Sequence, residues 1–178
     1  MINVVIPMAG LGSRFSKAGY LRPKPFIDVN GKPMIERVLE NLQLPDANYI
    51  LIANKLHIEK EKKLAKQLTE KYNVKFIEIS KVTEGTACTI LFARNLINNS
   101  YPLLIANSDQ IIDIKISQFI EDNFNRNLDG SILTFVEPSK NPKWSYAKLN
   151  SNNLVELVKE KKAISDIATV GIYLFTKG

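Results

Sequence analysis

Three short segments hold the residues whose types and spacing could do chemistry. Gly10-Leu11-Gly12-Ser13-Arg14-Phe15 combines two glycines with a guanidinium, and Arg22-Pro23-Lys24-Pro25, read as an extended stretch, sets a lysine between prolines ten residues after Arg14. Asn107-Ser108-Asp109 closes an apolar run with a carboxylate. Glycines let backbone amides approach phosphate oxygens closely. An arginine can fork two such oxygens, while a lysine held between prolines delivers a point charge. The chemistry these residues suit is the binding of a phosphate chain by a glycine loop and two cations.

Two better-known phosphate loops are excluded. A dinucleotide fingerprint needs a third glycine where Phe15 stands, and an acidic residue after the second strand, which ends Ile52-Ala53-Asn54. A Walker A loop needs Gly-Lys followed by Ser or Thr, and the first loop has none. The remaining alternative, a tight turn with Arg14 in a surface ion pair, leaves Pro23-Lys24-Pro25 unexplained.

Nucleophilic triads are absent too. The chain has one histidine, His57, and one cysteine, Cys88; it shows no Ser-His-Asp or Cys-His constellation, and the two residues can form neither a structural zinc site nor an internal disulfide. His57 is expected on the surface near a helix start and Cys88 buried within a helix, neither with a function.

Elements that alternate in type must position the three segments. Ile2 to Ala9 reads as a buried strand, and Tyr49–Ala53, Val74–Ile79, Leu103–Ala106 and Ser131–Val136 as four more. Between them the apolar spacing predicts helices from Pro33, with Met34, Ile35, Val38, Leu39 and Leu42 on one face, and over Ile58–Tyr72, with Leu64, Ala65 and Leu68 inward. Further helices are predicted over Thr86–Ile97, with Ile90, Leu91, Ala93 and Leu96 available to the core, and over Lys115–Phe124. The last third changes character, with strands at Tyr146–Leu149, Leu154–Lys159 and Thr169–Phe175 and no helix between them. The expectation is an α/β fold: a three-layer, Rossmann-like, mixed but mostly parallel sheet with helices on both faces and antiparallel additions at one edge. In such sheets ligands bind beyond the carboxyl ends of the strands, where the first loop and Asp109 both fall.

Composition narrows the class. In 178 residues, 45% are hydrophobic and 24% charged, which permits a sizeable core and excludes disorder. No apolar run is long enough for a bilayer, and Met1-Ile2-Asn3-Val4-Val5 is no signal peptide, so the expectation is a cytoplasmic protein without membrane contact. The formal charge of +6 suits small polyanions. It does not indicate nucleic acid, since the densest lysines, Lys60, Lys62, Lys63 and Lys66, alternate with Glu59, Glu61 and Glu70 as on a solvated helix face.

The motifs together resemble the sugar-phosphate nucleotidylyltransferases, an NTP-transferase superfamily of GT-A-like, nucleotide-diphospho-sugar transferase type. The resemblance runs from Pro7-Met8-Ala9-Gly10-Leu11-Gly12-Ser13-Arg14-Phe15 through Pro23-Lys24-Pro25 and Gly31-Lys32-Pro33-Met34-Ile35. It continues at Glu84-Gly85-Thr86-Ala87, Ser108-Asp109, Glu160-Lys161 and Val170-Gly171-Ile172-Tyr173, in the family's order. It implies transfer of a nucleoside monophosphate from a triphosphate to a phosphorylated small molecule, with release of pyrophosphate. The nucleophile would be an ionised phosphate oxygen that needs no side-chain base, which agrees with the missing triads.

By resemblance, Arg14 and Lys24 are the catalytic cations on the triphosphate and Asp109 a ligand of Mg2+. Met8, Ala9, Gly10, Leu11, Gly12 and Ser13 line the nucleotide, with Glu84, Gly85 and Thr86 near base or ribose. Tyr146, Ala147, Glu160 and Lys161 are the acceptor candidates; Lys159-Glu160-Lys161-Lys162 reads equally as a solvated charge cluster, and Trp144 and Tyr146 as packing or rim residues. Gly-Leu-Gly-Ser-Arg-Phe and Glu84-Gly85 resemble cytidylyltransferases of small phosphates. CTP is therefore the favoured donor and capsule or other cell-surface polysaccharide synthesis the favoured setting. The alternatives are a dTTP-, UTP- or GTP-dependent hexose-1-phosphate nucleotidylyltransferase, a glycosyltransferase, which would show Asp-x-Asp in place of Asn107-Ser108-Asp109, and a non-catalytic nucleotide-binding module. Residues 1–178 are taken as one nucleotidyltransferase domain that lacks a C-terminal portion, because the family's second metal-binding Asp or Asn follows the Gly-Ile-Tyr strand. Oligomeric state is left open.

Overall fold

The first strand, β1 (Ile2–Met8), is buried along its length except at Pro7, because parallel strands flank it on both edges. In the computed structural model, which describes residues 1–176, the sheet runs β5 (Lys75–Ile79), β4 (Ala47–Asn54), β1, β6 (Leu103–Ile105), β10 (Ile167–Phe175), β8 (Tyr146–Leu149) and β9 (Val155–Lys159). Positions 177 and 178, the end of the expected domain, lie outside the described residues. The strands β5, β4, β1 and β6 are parallel. The long β10 is antiparallel to β6 at Tyr173–Phe175, to β8 at Ala168, and to β7 (Gly130–Val136) along its other edge. The antiparallel strands therefore all lie on one side of the parallel set, beyond β6, as expected of additions at one edge.

Alternate residues of β1 face opposite layers, as strand geometry requires. Val4, Ile6 and Met8 pack with Ile35, Val38 and Leu39 of α2 (Met34–Asn41), Leu68 of α4 (Lys62–Tyr72) and Ile116 of α7 (Ile116–Asn125). Val5, with Ile50 and Ile52 of β4, packs with Ala93, Ile90 and Ile97 on the opposite face. These are the two helical layers of the expected three-layer fold. Among the described residues, no helix is long and apolar enough to cross a membrane.

Several local expectations are corrected. The helix predicted over 58–72 is two helices, α3 (Lys55–Lys60), capped by Asn54, and α4; they part at Glu61. At the break, Lys60 donates to the Leu21 carbonyl at 2.6 Å and Glu61 pairs with Arg22 at 3.3 Å, so both side chains serve the loop rather than one continuous helix face. The helix predicted over 86–97 is α5 (Thr86–Ile90), a 3-10 turn at Leu91–Ala93, and α6 (Arg94–Ile97). Its inward stripe is Ile90, Ala93 and Ile97, which keeps helical spacing, whereas Leu91 and Leu96 fall off that stripe and are exposed. Cys88 is exposed on the outer side of α5 instead of buried. The stretch around Lys24 is not wholly extended: Pro23 is, but Lys24–Phe26 forms a 3-10 turn with Pro25 in its first positions, where a missing N–H costs nothing. Phe26 is completely buried and anchors that turn, at roughly 1.5–3 kcal/mol for a side chain of this size. Asn30 and Gly31, both at positive φ, turn a short hairpin from β2 (Asp28–Val29) to β3 (Lys32–Pro33) before α2 begins.

Candidate active site

The carboxyl ends of β1 and β6 lie side by side, and the chain leaving each of them lines one cavity of about 420 Å³. After β1 the chain turns at Gly12 into α1 (Ser13–Lys17). Gly12 has φ +60, and a Cβ there would stand 3.0 Å from the Cβ of Lys24, so this position needs glycine for conformation and for space. That close approach sets the loop against the Pro23-Lys24-Pro25 turn.

Lys24 reaches across the cavity and donates from Nζ to Oδ2 of Asp109, a pair in which both side chains are only partly exposed. Arg14 stands exposed on the lip, without an ion pair among the described residues, so the surface-pair alternative is not what the fold builds. The charged residues lining the cavity are Arg14, Lys24 and Asp109, two cations against one carboxylate. That balance favours an anionic ligand.

The third wall comes from residues 82–89. The hydroxyls of Thr83 and Thr89 lie 2.5 Å apart and each reaches the Gly85 carbonyl at 3.2 Å, folding the segment around Gly85. Gly85 lines the cavity, and a side chain there would meet no protein atom within 4 Å. Asn107 and Ser108 complete the floor. Asn107 donates from Nδ2 to Gln110 Oε1 at 2.6 Å and packs onto Gly171, where β10 shifts register at φ +85.

The fold brings together Arg14, Lys24, Asp109, Met8, Ala9, Gly10, Gly12, Ser13, Gly85 and Thr86 around this cavity. It does not bring Leu11 or Glu84 to the lining; Leu11 is 64% exposed and Glu84 points to solvent. The acceptor candidates also lie off the cavity. Tyr146 and Ala147 are completely buried in β8, and the Tyr146 hydroxyl donates to the Asn141 carbonyl at 2.9 Å, a structural bond. Glu160 and Lys161 sit on the exposed turn after β9 and pair with each other at 3.2 Å. Trp144 packs edge-on against Phe135 at 5.1 Å. Sequence reading missed Val82, Thr83, Thr89 and Asn107. Only Thr89 carried a signal, one turn beyond Thr86 on the same helix face.

Asp109 fits a magnesium ion of the kind that takes one carboxylate and completes its shell from phosphate oxygens and water. Its carboxylate already receives a cation, the Lys24 ammonium, inside the cavity. Among the described residues no group of three or more His, Cys, Asp or Glu side chains forms a metal cage.

A family model described as nucleotidyl transferase matches residues 3–178. The chain is 26% identical over 180 residues to the bifunctional protein GlmU of Methanocaldococcus jannaschii, covering 99% of this chain and 40% of that protein. It is 27% identical over 181 residues to the mannose-1-phosphate guanylyltransferase catalytic subunit beta of Dictyostelium discoideum, covering 98% of this chain and 49% of the relative. A solved nucleoside-diphosphate-sugar pyrophosphorylase from Vibrio cholerae RC9 superposes with a TM-score of 0.72 at 26% identity, over 97% of this chain and 72% of that one. The chain thus spans two-fifths to one-half of these two curated relatives. With the glycine loop, Lys24 and Asp109 all inside the matched span, the chain belongs to the nucleotidyl transferase family.

Proposed function

We propose that this protein transfers a nucleoside monophosphate from a nucleoside triphosphate to a sugar 1-phosphate and releases pyrophosphate. The observation that carries the reading is the cavity at the ends of β1 and β6, which Arg14 lines together with the Lys24–Asp109 pair beside the glycine loop. An oxygen of the acceptor phosphate attacks the α-phosphorus, the bond between that phosphorus and the bridging oxygen breaks, and pyrophosphate leaves with that electron pair. The attacking oxygen is already ionised, so no residue has to remove a proton. Arg14 and Lys24 hold the triphosphate and offset charge that builds on the leaving pyrophosphate. Asp109 would hold the magnesium ion, which when bound supplies Lewis-acid neutralisation of phosphate charge. Gly85, flanked by the Thr83–Thr89 hydroxyl pair, leaves room for the nucleoside.

A sugar 1-phosphate acceptor is supported by the names of the relatives, guanylyl transfer to mannose 1-phosphate in one and a nucleoside-diphosphate-sugar product in another. The finer expectation of CTP and a capsule setting has less behind it. It leaned on the loop at 10–15 and on Glu84-Gly85, and Glu84 stands outside the cavity. The hexose-1-phosphate alternative is therefore the better supported reading. A pyrophosphate-release assay with CTP, UTP, dTTP, GTP and ATP, each against hexose 1-phosphates and phosphocholine, tests both. Turnover confined to CTP with phosphocholine would reject the sugar reading, and no turnover with any pair would reject nucleotidyl transfer.

A further inference from the structure

The root of Lys24 is fixed while its head has two places to rest. Pro23 and Pro25 restrict the backbone on either side, and Gly12 packs against the Lys24 Cβ. The ammonium pairs with Asp109 and at the same time lies 5.5 Å from the centroid of the Phe15 ring. That distance is within the range over which an aromatic face attracts a cation. The ring is itself held: Tyr20 meets it edge-on at 5.7 Å and 63°, and the Tyr20 amide donates to the Phe15 carbonyl at 3.1 Å.

The proposed nucleotidyl transfer, on which this inference rests, asks Lys24 and Asp109 to serve different ligands. Lys24 must turn to phosphate and Asp109 to a divalent cation, so the pair has to part. A lysine freed from its carboxylate would readily return and compete with the cation for Asp109. We propose that Phe15 is a positioning residue for Lys24, its ring face retaining the ammonium on the loop side of the cavity while Asp109 is engaged. This gives Phe15 a purpose at the place where a dinucleotide loop would carry glycine. A leucine would fill similar volume without presenting a π face.

The test compares wild type, F15L and F15Y as the full chain. In the metal-free wild type the ε-methylene protons of Lys24, identified by their loss in K24A, should be shifted upfield by the ring. The shift should persist when triphosphate and Mg2+ are added. In steady state, F15L should raise the Mg2+ concentration for half-maximal pyrophosphate release by about three- to tenfold, the fold-change matching a partly exposed cation–π contact, with F15Y within about twofold of wild type. A merely structural Phe15 would lower thermal stability in F15L without moving the Mg2+ requirement. An active wild type in which F15L and F15Y show equal Mg2+ requirements overturns the role of Phe15 alone. An inactive wild type rejects the functional reading and this role with it. The wild-type spectrum decides by itself should F15L not fold: without an upfield shift of Lys24, or with its loss on adding triphosphate and Mg2+, the proposal is overturned.

Discussion

The ammonium of Lys24 rests on the carboxylate of Asp109, although 85 residues separate them in the chain. Each side chain comes from a different part of the fold: Lys24 from a turn pinned by Phe26 in the core, Asp109 from the loop after β6. Both residues line the cavity, and the proposed reaction asks them to part.

Replacing Arg14 or Lys24 by alanine should each lower turnover by about 100-fold, the scale for removing one preorganised charge from a transition state. Asp109→Asn should lose its response to Mg2+ while melting within a few degrees of wild type, since the Lys24 pair is partly exposed and such pairs add at most about 1 kcal/mol. Pyrophosphate release and thermal unfolding on the same preparations check this. Near-normal turnover of R14A or K24A at saturating triphosphate, or an unchanged Mg2+ response in D109N, would remove that residue from the site.

Gly12→Ala should be costly in two separable ways. The backbone at φ +60 disfavours any side chain by about 1–2 kcal/mol, and the new methyl group would press on the Lys24 Cβ at 3.0 Å. We expect a lower melting temperature together with a loss of turnover close to that of K24A, because Lys24 is displaced. If G12A is destabilised yet keeps wild-type kcat, the Gly12–Lys24 contact has no part in placing the lysine.

How far the sequence disclosed this molecule depends on the kind of signal each residue gave. Glycine frees its own backbone and proline restricts it, so Gly10 and Gly12 announced the loop, while Pro23 and Pro25 marked a restricted stretch at Lys24 without disclosing its 3-10 turn. Buried parallel strands write long apolar runs, which placed β1, β4 and β6 and hence the position of Asp109. Hydroxyl and amide groups write no such pattern. Thr83, Thr89 and Asn107 line the cavity only because the chain folds back, and their types are equally at home in any surface turn. The acceptor candidates show the reverse: Tyr146 alternates along a strand like any core residue, and Glu160-Lys161 looks alike in a site and on a solvated turn, so residue type alone did not disclose that they lie off this cavity. Cys88 was misplaced because α5 is short, and too few turns existed to fix which face was inward.

Stability should also carry a pH signature from His57, which does not line the cavity. Burial is the larger cause that lowers its pKa below 6.5 in the folded chain, and nearby Lys60 adds to it. Its Nδ1 is buried without a hydrogen-bond partner among the described residues, so the folded protein prefers the neutral ring. Below 6.5 the unfolded chain binds the proton first, and stability therefore falls as pH drops from 6.5 through the lowered folded value. The contribution is complete above 6.5. His57→Gln should flatten this part of the acid limb, as measured by urea unfolding between about pH 7 and about pH 5. An identical slope in the variant would mean that other groups account for the acid sensitivity.

Gly171 gives the sharpest test of how β10 shapes the cavity floor. It sits at φ +85 inside the register shift of β10, and a Cβ there would fall 2.1 Å from Nδ2 of Asn107 and 3.1 Å from Oε1 of Gln110. Alanine therefore meets two penalties. The backbone term is about 1–2 kcal/mol and belongs to Gly171 alone. The steric term belongs to the contact: Asn107 must swing away, breaking its 2.6 Å bond to Gln110 and altering a wall of the cavity. The double variant G171A/N107A separates them, because trimming Asn107 removes the obstacle but leaves the backbone strain. We expect G171A to be less stable than the sum of the remaining terms predicts, and the double variant to recover part of that loss, a coupling between residues in contact of about 0.5–3 kcal/mol. Strict additivity of the two substitutions in urea unfolding would show that Asn107 relaxes without cost, and that Gly171 matters for its backbone alone.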